Sequence, residues 1–392
     1  MKTLLTIARV IVGVLFIFSG LVKANDPLGL SYKMQEFFEV WGWNFFNDFT
    51  LSFSTLMIAF EIIAGVAVLL GWRMKLFSWL LLLLIIFFTF LTGYAVLSGK
   101  IRTCGCFGDC IPLTAVQSFT KDLILTALIV FIFIFRNQVQ PVFSAKASSR
   151  ILVVTVLFSF ALQGYVFKHL PIVDCLPYKL GKNIQQQMKV PAGAVPDSSV
   201  ITFVYNKQGK QVEFTADKFP EDFDDSLYHF VRRYDKLIRE GNAQPAIKDF
   251  VLTSLDGTDS TQAILNQKGT MLFLFVKDDM NSNYDRKENQ QLREIAAYAK
   301  TKSIPLYLIT NTREAMAEFA SATKDSVTTF LCDAVAIKTA ARANPTLYML
   351  KDAVIQGKWA YADFGKADER IRLMVGEDTD HGGVDKKAID NK

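Results

Sequence analysis

Cys104-Gly105-Cys106-Phe107-Gly108-Asp109-Cys110 sets three thiols within seven residues, between two long apolar runs, Phe77–Leu97 and Ala115–Phe135. Thiols this close can bond one another, pass a disulfide to a partner or hold a metal. Their place at the end of a membrane-length run points to redox work at a membrane surface. Gly105 and Gly108 supply the backbone freedom that crowded thiols require. A bond between Cys104 and Cys106 would be strained, and strained disulfides are the exchange-active ones. Cys106 with Cys110 is a looser pairing. A metal lacks a clear fourth ligand, since no histidine lies nearby. Cys175, beyond the last apolar run, falls at the same expected depth and is a candidate partner for Cys110. The alternative to exchange is a structural disulfide that pins the loop.

Outward from this loop, the first 170 or so positions hold most of the apolar residues of a 392-residue chain that is 51% apolar. A bilayer crossing takes roughly 20 apolar residues, and five candidates qualify: Leu4–Val22, Leu51–Leu70, Phe77–Leu97, Ala115–Phe135 and the shorter Ile151–Phe167. Lys2 and Val22-Lys23-Ala24 hint at a cleaved signal, but Arg9 interrupts the run and further spans follow. Basic residues favour the cytoplasmic side. Arg73 and Lys75 follow the second span, and Arg136, Lys146 and Arg150 follow the fourth. That places the N-terminus inside, and the cysteine loop and everything after Phe167 outside, in an oxidising compartment where disulfides persist. The aromatic-rich stretch Leu28–Asp48 reads either as an interfacial helix or as a loop packed on the bundle. A net charge of +5, spread without a basic patch, argues against nucleic acid.

The second half reads as a soluble region. Lys168–Ser199 is a proline-bearing linker, and Val200–Tyr205 and Gln211–Phe214 flank a turn-rich joint as a hairpin. Leu227, Phe230, Val231, Tyr234 and Leu237 carry helical spacing, which predicts a helix at Ser226–Arg239 with His229 on its polar face. From Ile247, strands at Met271–Val276, Ile304–Ile309 and Val327–Cys332 alternate with helices at Lys287–Lys302, Arg313–Ala322 and Ala334–Arg342. Strands at Leu347–Leu350 and Val354–Trp359 close an α/β layer fold. The tail from Glu377 to Lys392 is polar and reads as disordered. Glu61 lies inside a span, where a carboxylate is costly and a functional candidate by default. Its alternatives are a proton relay during thiol oxidation or a hydrogen bond to a serine, threonine or tyrosine. Asp122, near a span's outer start, is less telling, and Arg9 reads as snorkelling to the inner surface. Cys332 ends a strand and reads as buried and inert.

Phe18-Ser19-Gly20-Leu21-Val22-Lys23 near Asp26-Pro27, Glu61 before Gly65, and Cys104-Gly105-Cys106-Phe107-Gly108 resemble the DoxX/MauE family of four-span membrane proteins. The whole chain resembles Bacteroidetes-type DoxX proteins. This resemblance implies thiol–disulfide redox work: the family is associated with disulfide formation in a periplasmic enzyme subunit and with quinone-linked sulfur oxidation. By the same likeness, and by analogy with vitamin K epoxide reductase, Cys104 and Cys106 match the motif cysteines and quinone is the implied electron acceptor. Cys110 has no counterpart. Farther on, Ile247–Leu252, Asp256-Gly257 and the strand Met271–Val276 resemble thioredoxin-like domains of the TlpA type, with Asn344-Pro345-Thr346 as their cis-proline loop. The departure is that Lys277-Asp278-Asp279-Met280 stands where the redox cysteine pair belongs. Such a domain cannot run dithiol exchange there and implies a docking module.

The expected architecture is therefore a membrane α-helical bundle of four DoxX/MauE-like spans (1–137), a fifth span with linker (138–199), a hairpin–helix subdomain (200–245), a degenerate thioredoxin-like domain (246–376) and a polar tail (377–392). The expected function is an inner-membrane relay from periplasmic client thiols through Cys104, Cys106 and Cys110, with Glu61, toward quinone, surrounded by lipid. The rivals are a scaffold with a structural disulfide and a small-molecule or lipid-binding bundle that uses Glu61.

Overall fold

In lipid a chain has to satisfy its own backbone hydrogen bonds, so uninterrupted apolar runs fold as helices. A computed structural model describes residues 2–101, 103, 105–196, 198–239, 241, 243–277, 286–316 and 327–380. Among them are five helices long and apolar enough to cross a membrane. They are α1 (Lys2–Ala24), then, after the shorter α2 (Pro27–Trp41), α3 (Thr50–Leu70), α4 (Met74–Ser98), α5 (Ala115–Ile134) and α6 (Ala145–Lys168). The chain is a multi-pass membrane protein. Leu83, Phe90, Val154 and Leu157 stand exposed on the outside of the bundle, as lipid contact requires. The last span starts earlier than its apolar run, because Ser144 caps it at the Ala147 amide.

Small residues bring α1 and α3 together. A Cβ on Gly65 would lie 2.8 Å from the Gly13 carbonyl oxygen. Arg9 is buried in this seam and donates to the carbonyls of Val68 (3.2 Å) and Leu69 (3.0 Å). It caps the last turn of α3 and does not snorkel outward as the sequence suggested. The stretch Leu28–Asp48 is neither one helix nor a loop. Asp26 caps α2 at the Gly29 amide (3.0 Å), Gly42 ends it at φ 71°, and a 3-10 turn, Asn44–Phe49, leads into α3.

One compact unit combines Met1–Lys182 with Asp249–Lys392, and Asn183–Lys248 forms a second. The second unit corrects the expected hairpin–helix. It is a three-stranded antiparallel sheet, order β2-β1-β3, of β1 (Ser198–Lys207), β2 (Lys210–Thr215) and β3 (Tyr228–Arg239). The segment read as a helix pairs with β1 from Lys207↔Tyr228 to Ser198↔Arg239. Tyr228 and Phe230 also alternate at the strand period, and both rings meet Tyr205, at 6.3 and 5.5 Å. Cross-strand aromatic packing overrides the helical spacing. His229 accordingly lies on a strand.

In the first unit, five strands take the order β6-β5-β4-β7-β8: β4 (Thr270–Val276), β5 (Leu306–Thr310), β6 (Thr328–Leu331), β7 (Thr346–Lys351) and β8 (Val354–Ala360). β4, β5 and β6 run parallel, whereas β7 is antiparallel to β4 and β8 to β7. Helices α7 (Arg286–Thr301) and α9 (Phe364–Asp380) cover one face, where Ile295, Ala299, Phe364 and Ile371 are buried. α8 (Ala334–Ala340) precedes the peptide bond Asn344–Pro345, which is cis. This is the expected thioredoxin-like domain. Its boundary moves, however. Tyr178 is buried against Phe250 and Tyr348, and Gly181 donates to the Ile355 carbonyl at 2.8 Å, so the first half of the linker belongs to the domain. α9 continues to Asp380, past the start of the expected tail, and residues 381–392 lie outside the described residues. The same holds for most of the expected helix Arg313–Ala322, described only to residue 316.

Candidate functional site

The cysteine loop is fastened at both ends. Thr103 bridges Thr114, and Thr114 forms a capping box with Gln117 at the start of α5. Gly105 and Gly108 adopt φ of 67° and 57°, and the Gly108 amide donates to the Gly105 carbonyl at 3.0 Å. No L side chain takes this turn without strain. A 3-10 turn, Gly108–Cys110, follows. Cys110 is bonded to Cys175. Cys106 is a free, half-buried thiol, and Cys104 lies outside the described residues. Burial pushes the Cys106 thiol pKa up, opposed by the nearby Lys121 cation, so the resting group is a neutral thiol.

Cys106 lines a cavity of about 450 Å³ that reaches into the bundle. Its walls are apolar, with Phe37, Phe38 and Trp41 of α2, Phe60 of α3, and Phe87 and Phe88 of α4. Polar groups gather where it meets the loop. Lys23 Nζ donates to Glu61 Oε1 at 2.6 Å, and both side chains are almost wholly buried. The Ser19 hydroxyl lies 3.0 Å from Glu61 Oε2 and 3.1 Å from the Cys106 carbonyl oxygen. Its single proton is shared between the two acceptors, which links Glu61 to the backbone of the cysteine. Asp122, fully buried, accepts from Lys121 and from the Thr92 hydroxyl at 3.1 Å. Lys121 Nζ also sits 5.5 Å from the Phe107 ring centre.

Glu61 thus has a lysine partner that the sequence reading did not supply, and Asp122 joins the site as an unexpected member. Ser19 and Lys23, noted only as part of the family stretch, were given no role, and Lys121 was missed. The available signal was the i, i+4 spacing of Ser19 and Lys23 on one helix face. A lysine at a span end reads first as an interfacial anchor.

In the thioredoxin-like domain the cis-proline edge faces the bundle. The Lys277 amide donates to Asn344 Oδ1 (2.9 Å), and Lys277 Nζ donates to the Tyr32 hydroxyl of α2 (3.1 Å). Arg342, two residues before Asn344, donates to Asp26 Oδ2 and to Asp109 Oδ2, each at 2.8 Å. Thr346 is buried and donates to the Ala343 carbonyl at 2.8 Å, which braces the cis-proline loop. Burial lowers the Lys277 pKa to about 7, with Arg342 acting in the same sense. Cys332 is buried, and its thiol is pushed up to about 12.

Four apolar helices, a buried carboxylate and the loop that carries Cys106 now stand in one place. Residues 1–135 match the family described as "Methylamine utilisation protein MauE". This MauE-like bundle covers about a third of the chain. Residues 199–240, within the three-stranded unit, match a domain of unknown function, DUF8463. The chain is 29% identical over 128 residues to "Protein TlpB" of Flavobacterium psychrophilum, a match covering 32% of this chain and 35% of that protein. The match thus spans about a third of that relative's length. It is also similar, at 16% identity and a TM-score of 0.26, to the solution structure of a thiol:disulfide interchange protein from Bacteroides sp., over 32% of this chain and 86% of that one.

Proposed function

We propose that the protein is a thiol–disulfide redox protein of the bacterial inner membrane. Its cysteine loop and thioredoxin-like domain lie on the periplasmic side. The loop passes electrons from client thiols to a quinone held in the MauE-like cavity. The observation that carries this reading is that Cys106, a free thiol in the loop, opens on a membrane-level chamber that is apolar along its walls and polar only at its cysteine end. That is the build of a site for a lipid-borne ring with hydrogen-bonding oxygens. A quinone bound there supplies the two-electron oxidant, taking up two electrons and two protons while the Cys104–Cys106 sulfur–sulfur bond forms. The chain's own groups do the rest. Lys121 favours the Cys106 thiolate. The Lys23–Glu61 pair, joined to the loop through Ser19, holds and moves a proton at the cavity's polar end. A periplasmic dithiol then reduces the loop disulfide by exchange.

The test uses the reduced full-length protein in nanodiscs with a short-chain quinone analogue. Quinol is followed by absorbance, and thiols by maleimide mass shift. One quinol per loop disulfide is expected, with no turnover in Cys106→Ser and a rate at least tenfold lower in Glu61→Gln. A quinone that binds the cavity while the loop thiols stay reduced would sink the relay and leave a binding bundle.

A further inference from the structure

The two half-cystines of the Cys110–Cys175 bond share a feature that their own chemistry does not require: each follows an aspartate. Asp109-Cys110 comes from the loop before α5 and Asp174-Cys175 from the linker after α6. Each aspartate is held by a buried cation of the thioredoxin-like domain. Arg342 Nη2 lies 2.8 Å from Asp109 Oδ2, and Lys358 Nζ of β8 lies 3.1 Å from Asp174 Oδ2. The Arg342 and Lys358 side chains are only 5% and 3% exposed. Buried cations do not persist without partners, and these two have been given partners that flank one disulfide.

The remaining contacts tighten the same grip. Arg342 Nε binds Asp26 Oδ2 at 2.8 Å, and its guanidinium lies 5.4 Å from the Tyr32 ring centre. Asn25, next to Asp26, pairs with the backbone of Val173 in both directions, at 2.8 and 2.9 Å. Val173 immediately precedes the second Asp-Cys dipeptide. The end of α1, the cysteine loop, the linker and the domain therefore converge on one bond.

We propose that the thioredoxin-like domain is a positioning clamp: Arg342 and Lys358 hold the two Asp-Cys dipeptides together, so that domain docking and oxidation of Cys110–Cys175 stabilise each other. Holding both dipeptides keeps the two thiols of the reduced form at high effective concentration, which favours closure of the bond. By linkage, the closed bond favours docking by the same factor. A docked domain thus keeps Cys110 out of exchange and leaves Cys104 as the loop partner of Cys106. Arg342 and Lys358 touch no reacting sulfur, and they act through the aspartates. Reduction of the bond consumes two electrons and two protons from a dithiol and returns two thiols and the dithiol's disulfide.

The experiment equilibrates the full-length protein, in nanodiscs without quinone, in reduced and oxidised dithiothreitol mixtures, and counts trapped Cys110 and Cys175 thiols by mass spectrometry. This readout is independent of quinone reduction, so either reading fails without the other. The double variant Arg342→Gln/Lys358→Gln is expected to lower the equilibrium constant for disulfide formation at least tenfold, about 30 mV for two electrons, with Arg342→Lys restoring part of the loss. A constant within twofold of the wild type overturns the clamp. Should the double variant fail to fold, the exchange Asp174→Lys with Lys358→Asp decides. Each single change should shift the constant and the pair should restore it, whereas equal constants throughout make the bond a passive brace.

Discussion

At the scale of single residues, the site is a set of buried charges that hold one another in place. Removing one member of a buried ion pair strands the other, at a cost of about 3 kcal/mol or more. Glu61→Leu should therefore lower thermal stability in detergent far more than the double change Lys23→Met/Glu61→Leu, a comparison made by one unfolding scan of each. Lys277 makes a different prediction. Its folded pKa of about 7 lies below the ordinary 10.5, so between these values the unfolded chain binds a proton that the folded one does not. Stability should rise with pH across that window, by at most about 1.4 kcal/mol per pH unit. The upper limit is near pH 9, where Cys332, pushed up to about 12, begins to act in the opposite sense, joined near pH 10 by Tyr32. Chemical denaturation between about pH 7 and about pH 8.5 should show the slope in the wild type and its reduction in Lys277→Met, the remainder belonging to Lys358, whose pKa burial also lowers. A slope unchanged by the substitution would assign it to another group. Glu61 was visible in the sequence because a carboxylate in an apolar run has few bland explanations. Lys23 and Asp122 were not, since a charge near a span end reads as an anchor until its burial is known.

At the scale of elements, the helices of the apolar runs and the turn chemistry at Gln208-Gly209 were readable, because local sterics decide them, whereas the break at Gly42 was not read. The strand β3 was not. Tyr228–Arg239 fits both periods, and only the facing rings of Tyr205 and Phe214 select the strand. The seam between α1 and α3 depends on Gly13 and Gly65 in a way that one residue can test. Gly65→Val should force the helices apart and lower the melting temperature by several degrees. Gly164→Val, where an added Cβ meets nothing within 4 Å, should leave it nearly unchanged. Equal effects of the two substitutions would mean that the approach of α1 to α3 contributes little. Arg9 adds to the same seam through the α3 carbonyls, an arrangement that no periodicity reveals because its acceptors are backbone atoms about sixty positions away.

At the scale of the whole molecule, the sequence separates a membrane part from a thioredoxin-like part, and it shows the second to lack its cysteine pair. It does not show that the edge left without thiols is occupied by the protein's own bundle. That contact joins residues as distant as Asp26 and Arg342, and opposite charges on a sequence carry no address. Whole-cell labelling with a membrane-impermeant maleimide should tag the reduced loop thiols without lysis. Tagging only after lysis would place the loop on the cytoplasmic side and remove the periplasmic client. Asp26 carries one further consequence, which concerns biosynthesis. Its carboxylate leaves the ribosome more than three hundred residues ahead of the guanidinium that neutralises it. The early hairpin of spans must therefore wait, with an acidic elbow unpaired, until Arg342 has been synthesised. A chain arrested before Arg342 would display that elbow to any protease that patrols unfinished membrane proteins.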